Sequence, residues 1–175
     1  MSFTVTDPFA LFDQWLAEAT ATEPNDPNAM SLATLDANGM LSNRIVLLKG
    51  HDTDGFRFFT NYESRKGQAL AANPRAAALF HWKTLSRQVR VEGAIERLTA
   101  EQSQAYYDTR PRGSRIGAWA SLQSQALPER SSLQDRIDAF EAQFEGQETF
   151  PKPDYWGGFL IRPVAMEFWR AGDYR

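Results

Sequence analysis

Three short stretches hold the residues that could do chemistry. The first is Arg44-Ile45-Val46-Leu47-Leu48-Lys49, a cation at each end of an apolar run. Read as a strand, side-chain alternation gives Arg44 and Lys49 opposite parity. At roughly 3.3 Å per residue their α-carbons lie roughly 16 Å apart. A flat strand does not let both grip one phosphate. On a curved sheet they reach opposite ends of a long ligand; otherwise they guard the ends of a buried strand. The second stretch is Ser64-Arg65-Lys66. Ser64 reads as the N-cap of a helix whose first turn offers free N–H groups and partial positive charge. Two cations there oppose the helix dipole, and a bound phosphate relieves that conflict, Arg acting as a fork and Lys as a point charge. A solvated surface pair is the alternative. The third is Tyr106, Arg110 and Ser114, spaced by fours. Tyr106 and Arg110 share a helix face, Pro111 and Gly113 break that helix, and Ser114 is expected to cap the next. Hydroxyl, guanidinium and helix N-terminus then converge on a second phosphate, unless the Tyr–Arg pair is packing alone. Arg112 and Arg115 in the same loop are either exposed or paired with acids. Trp119, Gln123, Ser124 and Trp169 offer aromatic faces and polar groups suited to the edge of a flat ring, with core packing the alternative for the two tryptophans.

Other chemistries have little to work with. The chain has no cysteine and only two histidines, His51 and His81, so thiolate catalysis and a His-rich metal site are excluded, and no metal is expected. Both histidines read as structural. Neither a GxGxxG nor a GxxxxGK[ST] phosphate motif occurs, and no pair of carboxylates stands out. Two phosphate-sized anion sites beside aromatics, without an evident acid, base or nucleophile, fit a cofactor that carries the chemistry itself. A formal net charge of −3 argues against a general nucleic-acid binder, which is basic. No stretch approaches 18 apolar residues, so no membrane span is expected. The opening MSFTVTDPF lacks the basic-then-apolar pattern of a signal peptide. The expectation is a cytoplasmic protein of one domain, residues 1–175.

The elements that must position these residues follow from caps and periodicity. Asp7-Pro8 opens an amphipathic helix to about Thr20, with Phe9, Phe12, Trp15, Leu16 and Ala19 at helical spacing. Strands are expected over Ala29–Leu35 and Leu41–Lys49 about the turn Asp36-Ala37-Asn38-Gly39, then Phe56–Thr60, Ala76–Trp82 and Gln88–Leu98. Helices are expected over Ser64–Asn73, over Thr99–Thr109 with a Thr99/Gln102 capping box, from Ser114 to Ala120, and over Ser131–Phe144. Gly158–Ile161 and Ala165–Trp169 read as a closing pair of strands. The class is α+β, built on an antiparallel sheet or barrel.

At these residues the chain resembles the pyridoxamine 5′-phosphate oxidase family. The matching strings are Asn43 through Lys49, Phe59-Thr60-Asn61, Ser64-Arg65-Lys66, Arg87-Gln88-Val89, Tyr106 through Trp119 (YYDTRPRGSRIGAW), Gln123-Ser124 and Glu167-Phe168-Trp169. They occur in family order and spacing from about Asp7 to Arg175. The resemblance implies a six-stranded FMN-binding split β-barrel and a homodimer with FMN at the subunit interface. It implies that Arg44, Arg65 and Lys66 hold the FMN phosphate and ribityl region, and that Ile45, Val46, Leu47, Lys49, Phe59, Thr60, Gln88, Gln123, Ser124 and Trp169 line the flavin. It assigns Lys49, Tyr106, Arg110, Ser114 and Arg175 to the substrate. The implied reaction oxidises pyridoxamine or pyridoxine 5′-phosphate to pyridoxal 5′-phosphate, with hydride passing from C4′ to the flavin and O2 yielding H2O2. Departures are Arg115 where the family usually has Gln, Ile45 where Met is common, and only six residues before Asp7. The resemblance also implies a Leu-His-Asp-Arg segment and a final strand beyond the position of Arg175. Two other readings remain: an FMN oxidoreductase acting on another ring, as in phenazine-pathway relatives, and a non-catalytic flavin or pyridoxal-phosphate binder.

Overall fold

The computed structural model describes residues 7–129 and 131–172. Helix α1 (Pro8–Thr22) starts where Asp7 accepts a hydrogen bond from the Phe9 N–H and Pro8 occupies the first turn. Its stripe of Leu11, Phe12, Trp15 and Ala19 is buried against the sheet, where the Phe12 ring meets Phe56 at 4.9 Å and Phe80 at 5.0 Å. No helix among the described residues is long and apolar enough to cross a membrane.

Strands β1 (Ala29–Leu35), β2 (Leu41–Leu47), β3 (Gly50–Asp52), β4 (Gly55–Asn61), β5 (Arg75–Trp82), β6 (Arg87–Arg97) and β7 (Trp156–Arg170) form one sheet. Every pairing is antiparallel, in the order β2-β1-β5-β6-β7-β4-β3. The outermost strands, β2 and β3, are linked by Leu48 and Lys49 alone. The Leu48 N–H bonds Asn28 O on one side, and the Lys49 N–H bonds Arg57 O on the other, both at 2.8 Å. A sheet whose two edges are tied by so short a link must curl, and it encloses Phe58, Phe80, Trp82, Val89, Val91, Phe159 and Ile161. Burial of each such side chain stabilises the fold by about 1.5–3 kcal/mol. The antiparallel split barrel is therefore as expected, with seven strands in place of six; the three-residue β3 is too short to leave a periodic signal.

Helices α2 (Arg65–Ala72), α3 (Ala100–Asp108), α4 (Arg112–Ala120) and α5 (Ser131–Gln143) complete the chain. Ser64 caps α2, and the Thr99/Gln102 capping box opens α3, both as read from sequence. Two expectations are corrected. Ser114 does not cap α4: its own N–H already bonds Pro111 O at 2.9 Å, so it sits inside the first turn, and the N-cap is Pro111. The two closing strands are one, β7. Pro163, in the gap between the two expected strands, faces Gly93 at a register shift between Glu92 and Gly93, where its missing N–H costs no ladder bond. Tyr107, Ile116, Phe144, Phe150 and Trp156 form a second buried cluster, which joins the α3–α5 layer to the start of β7.

Candidate active site

A cleft of about 680 Å³ opens between the β2 edge, β4, the start of α2 and the α3–α4 turn. Ile45, Val46, Leu47 and Lys49 form one wall; Phe59, Thr60 and Asn61 form the floor. Tyr106, Arg110 and Ser114 close it from above, while Lys66 and Gln123 stand at its polar margin. The floor lies where it does because β4 pairs with the opening of β7, Thr60 opposite Gly157 and Phe59 opposite Gly158. A Cβ on Gly157 would fall 2.1 Å from the Tyr62 hydroxyl, so the close approach of these layers requires glycine there.

The polar margin is assembled from three separate stretches of sequence. Lys66 Nζ donates to Thr60 Oγ1 and to Gln123 Oε1, each at 3.1 Å, and Thr60 Oγ1 donates to Gln123 Oε1 at 3.0 Å. Burial holds the Lys66 ammonium below its usual pKa, and the charge of Arg44 adds to the effect. Arg44 is itself pulled down by burial and by Arg65. Three cations that disfavour one another's charge make a place where an anion is favoured. Arg44 does not line the cleft, however. Its guanidinium turns back over the sheet, donating to Leu32 O at 3.0 Å, to Thr34 Oγ1 at 2.8 Å and to Ser42.

The other end of the cleft is aromatic. Phe59 and Tyr106 stack at 3.8 Å between centroids, Phe59 and Trp156 stack at 5.5 Å, and the Arg110 guanidinium lies 4.8 Å over the Trp156 ring. Arg110 sits past the end of α3 in a turn, its N–H on Tyr107 O, yet it still reaches the stack that Tyr106 joins. Its Nη1 is buried with no hydrogen-bond partner among the described residues. Burial lowers the Arg110 pKa, the neighbouring Tyr106 and Tyr107 partly offsetting this, and burial raises that of Tyr106. A buried donor of this kind costs about 1–3 kcal/mol unless something accepts from it.

Of the residues singled out in the sequence, Ile45, Val46, Leu47, Lys49, Phe59, Thr60, Lys66, Tyr106, Arg110, Ser114 and Gln123 line this one cleft. Arg65 and Ser124 are exposed near its margin without lining it, and Ser124 adopts a positive φ of 68°. Gln88 and Trp169 face each other across β6 and β7, away from the cleft, with Trp169 40% exposed. Arg175 lies outside the described residues. Trp156 and Asn61 are cleft residues to which sequence reasoning assigned no role. Trp156 stands one residue before Gly157-Gly158, and the strand was expected to begin only at Gly158. Arg112 pairs with Glu141, as one reading of its loop allowed, and Arg115 is buried.

A family model for pyridoxamine 5′-phosphate oxidase matches residues 16–144. The chain is 53% identical over 169 residues to the pyridoxine/pyridoxamine 5′-phosphate oxidase of Chelativorans sp. (strain BNC1), covering 97% of this chain and 80% of that one. To the protein of the same description from Cupriavidus taiwanensis it is 56% identical, covering 97% and 79%. Among solved structures, PhzG from Burkholderia lata 383, in complex with tetrahydrophenazine-1-carboxylic acid, superposes with a TM-score of 0.91 at 28% identity, covering 98% of this chain and 84% of that one.

Proposed function

The chain belongs to the pyridoxamine 5′-phosphate oxidase family, and from that premise we propose that it oxidises pyridoxamine and pyridoxine 5′-phosphates to pyridoxal 5′-phosphate, with FMN as cofactor and O2 as acceptor. The observation that carries the reading is the pairing of two cationic features in one cleft. Lys66 is held down by burial and by Arg44, and Arg110 is half-buried with a buried, unpartnered Nη1. One phosphate at each satisfies both, and the cleft then takes two phosphorylated molecules side by side.

The residues present fit FMN. Lys66, with Arg44 and Arg65 behind it, offers the charge a flavin phosphate needs, and Thr60 and Gln123 hold the ammonium in place by hydrogen bonds. The backbone and side chains of Ile45 to Leu47 offer an edge strand against which a ring system can lie. Bound FMN supplies the hydride acceptor and its reoxidation by oxygen. The chain's own share is orientation and electrostatics. Lys49, Tyr106, Arg110 and Ser114 grip the substrate phosphate and fix C4′ in place, and the aromatic stack keeps water from that side. Gln88 and Trp169 enter this scheme from a second copy of the chain, with the flavin at a homodimer interface.

The test is direct. Purified protein should be yellow, and addition of either B6 phosphate in air should release pyridoxal 5′-phosphate and H2O2 in equal amounts. A flavin-loaded protein that yields neither product sinks the proposal. The likeness to PhzG favours a second reading, a flavin oxidoreductase on a ring without phosphate. Turnover of such a ring with none of the B6 phosphates would establish it.

A further inference from the structure

Arg110 is held in an unusual way for a half-buried cation. None of the ion pairs among the described residues includes it. Its contact is instead with the flat face of Trp156, at 4.8 Å. The distinction matters for chemistry. A carboxylate partner consumes the N–H donors of a guanidinium and neutralises its charge. An aromatic face attracts the cation through its π-electrons and leaves the in-plane donors free. The unpartnered, buried Nη1 is what such an arrangement leaves.

Trp156 is itself fixed from several sides. It is 6% exposed. Its N–H bonds Pro153 O at 3.0 Å, and it pairs with Asn61 as the first residue of β7. The Phe59 ring stacks at 5.5 Å and 15°, and Tyr107 meets its edge at 5.3 Å. Tyr106 lies nearly parallel to it at 8°. The indole is a rigid platform, shared by the guanidinium and the phenol that face the cleft.

We propose that Trp156 is a positioning residue for the substrate phosphate: its indole face holds the Arg110 guanidinium at the cleft wall without consuming its N–H donors. The inference rests on the function proposed above, because it gives Arg110 a phosphate to bind. Trp156 touches neither the flavin phosphate margin nor the reacting carbon in this scheme, so its removal changes affinity and not turnover.

The experiment compares wild type, Trp156→Leu and Trp156→Phe as FMN-loaded proteins. KM and kcat are measured with pyridoxamine 5′-phosphate, Kd for pyridoxal 5′-phosphate by its absorbance change, and Kd for FMN by fluorescence. Trp156→Leu should raise KM and the pyridoxal 5′-phosphate Kd by about 10-fold, with kcat and FMN Kd within about 3-fold of wild type. Trp156→Phe, which keeps a flat face, should restore most of the loss. In an Arg110→Ala background the effect of Trp156→Leu on KM should shrink below about 2-fold, since the group it positions is gone. An undiminished effect there, or an unchanged KM in the single variant, overturns the proposal. Should Trp156→Leu fail to fold, Arg110→Lys tests the same contact from the other side. An ammonium has no flat face to stack, so KM should rise by a similar factor, and adding Trp156→Phe should change it no further; full activity of Arg110→Lys overturns the proposal. If wild type binds pyridoxal 5′-phosphate but forms no product, the oxidase reading fails, while the Kd comparison still decides the role of Trp156. If it binds no B6 phosphate at all, both fall.

Discussion

At the scale of single residues, the α3–α4 turn places two arginines in opposite circumstances. Arg110 lines the cleft, and its buried Nη1 has no hydrogen-bond partner among the described residues. Arg115, five residues on, is 9% exposed, and its Nε and Nη1 have no partner among the described residues. The Phe150 face, 4.8 Å from its guanidinium, contributes about 0.5–2 kcal/mol. Unsatisfied donors cost about 1–3 kcal/mol each, and a buried unpaired charge more. The cost therefore wins, and Arg115→Met, which keeps the length and removes the charge, should raise the unfolding free energy by about 1–3 kcal/mol, read as an increase in Tm. The Tyr107 hydroxyl donates to the Arg115 backbone oxygen at 2.9 Å and is unaffected by the change. A fall in Tm would show that the guanidinium has an acceptor after all. The sequence made Arg110 legible because Tyr106 lies four residues before it and a helix-breaking Pro111 follows. It could not distinguish Arg112, which finds Glu141, from Arg115, which finds no acid among the described residues. That difference depends on where α5 packs, and α5 lies beyond a loop whose length carries no directional information. Trp156 escaped because it fell in the expected loop before Gly158, and its contacts with Phe59 and Arg110 come from elements distant in sequence.

At the scale of elements, local chemistry was the readable part. Asp7-Pro8, Ser64 and the Thr99/Gln102 box each open a helix where their side chains can satisfy free N–H groups. The two corrected expectations, a Ser114 cap and two separate closing strands, share a cause. In each a neighbour overrules the local pattern: Pro111 already caps α4, and the bulge beside Gly93 accommodates Pro163 within one strand. The cleft floor depends on a similar non-local fit, between β4 and the Trp156-Gly157-Gly158 opening of β7. Tyr62 Oη donates to Gly158 O at 3.2 Å, and the Gly158 N–H donates to Ser103 Oγ at 3.1 Å. A methyl at Gly157 would enter this crossing, 2.1 Å from Tyr62 Oη and 2.9 Å from Ser103 Oγ. Gly157→Ala should destabilise the chain by about 1–3 kcal/mol. Because Thr60 pairs with Gly157 and holds Lys66, it should also weaken FMN binding. Denaturant unfolding and flavin titration read the two effects, and an unchanged midpoint would show that Tyr62 can swing aside freely.

At the scale of the whole molecule, the proposed flavin site draws on residues from two ends of the sheet. Thr60, at the cleft floor, pairs with the opening of β7, whereas Trp169 lies at its other end, opposite Gln88. Thirteen residue steps separate Trp156 from Trp169, roughly 43 Å along an extended strand. Gln88 and Trp169 line no part of the cleft that holds Lys66, and their proposed role at the flavin is therefore assigned to a second copy of the chain. The exposed side chains agree with this: Ile45 on the β2 edge is 64% exposed beside the cleft, and Trp169 is 40% exposed on the far end of β7. Large apolar side chains left open next to a ligand site are what a partner surface covers. It follows that flavin affinity should depend on protein concentration. Diluting the loaded protein through the range in which sedimentation shows dimer giving way to monomer should release FMN, read as a rise in free-flavin fluorescence. Trp169→Ala should weaken FMN binding while leaving Tm of the flavin-free chain within about 2 °C, as expected of a surface substitution. A monomer that keeps its FMN at every dilution would return the whole flavin site to one chain and leave Gln88 and Trp169 without a part in it.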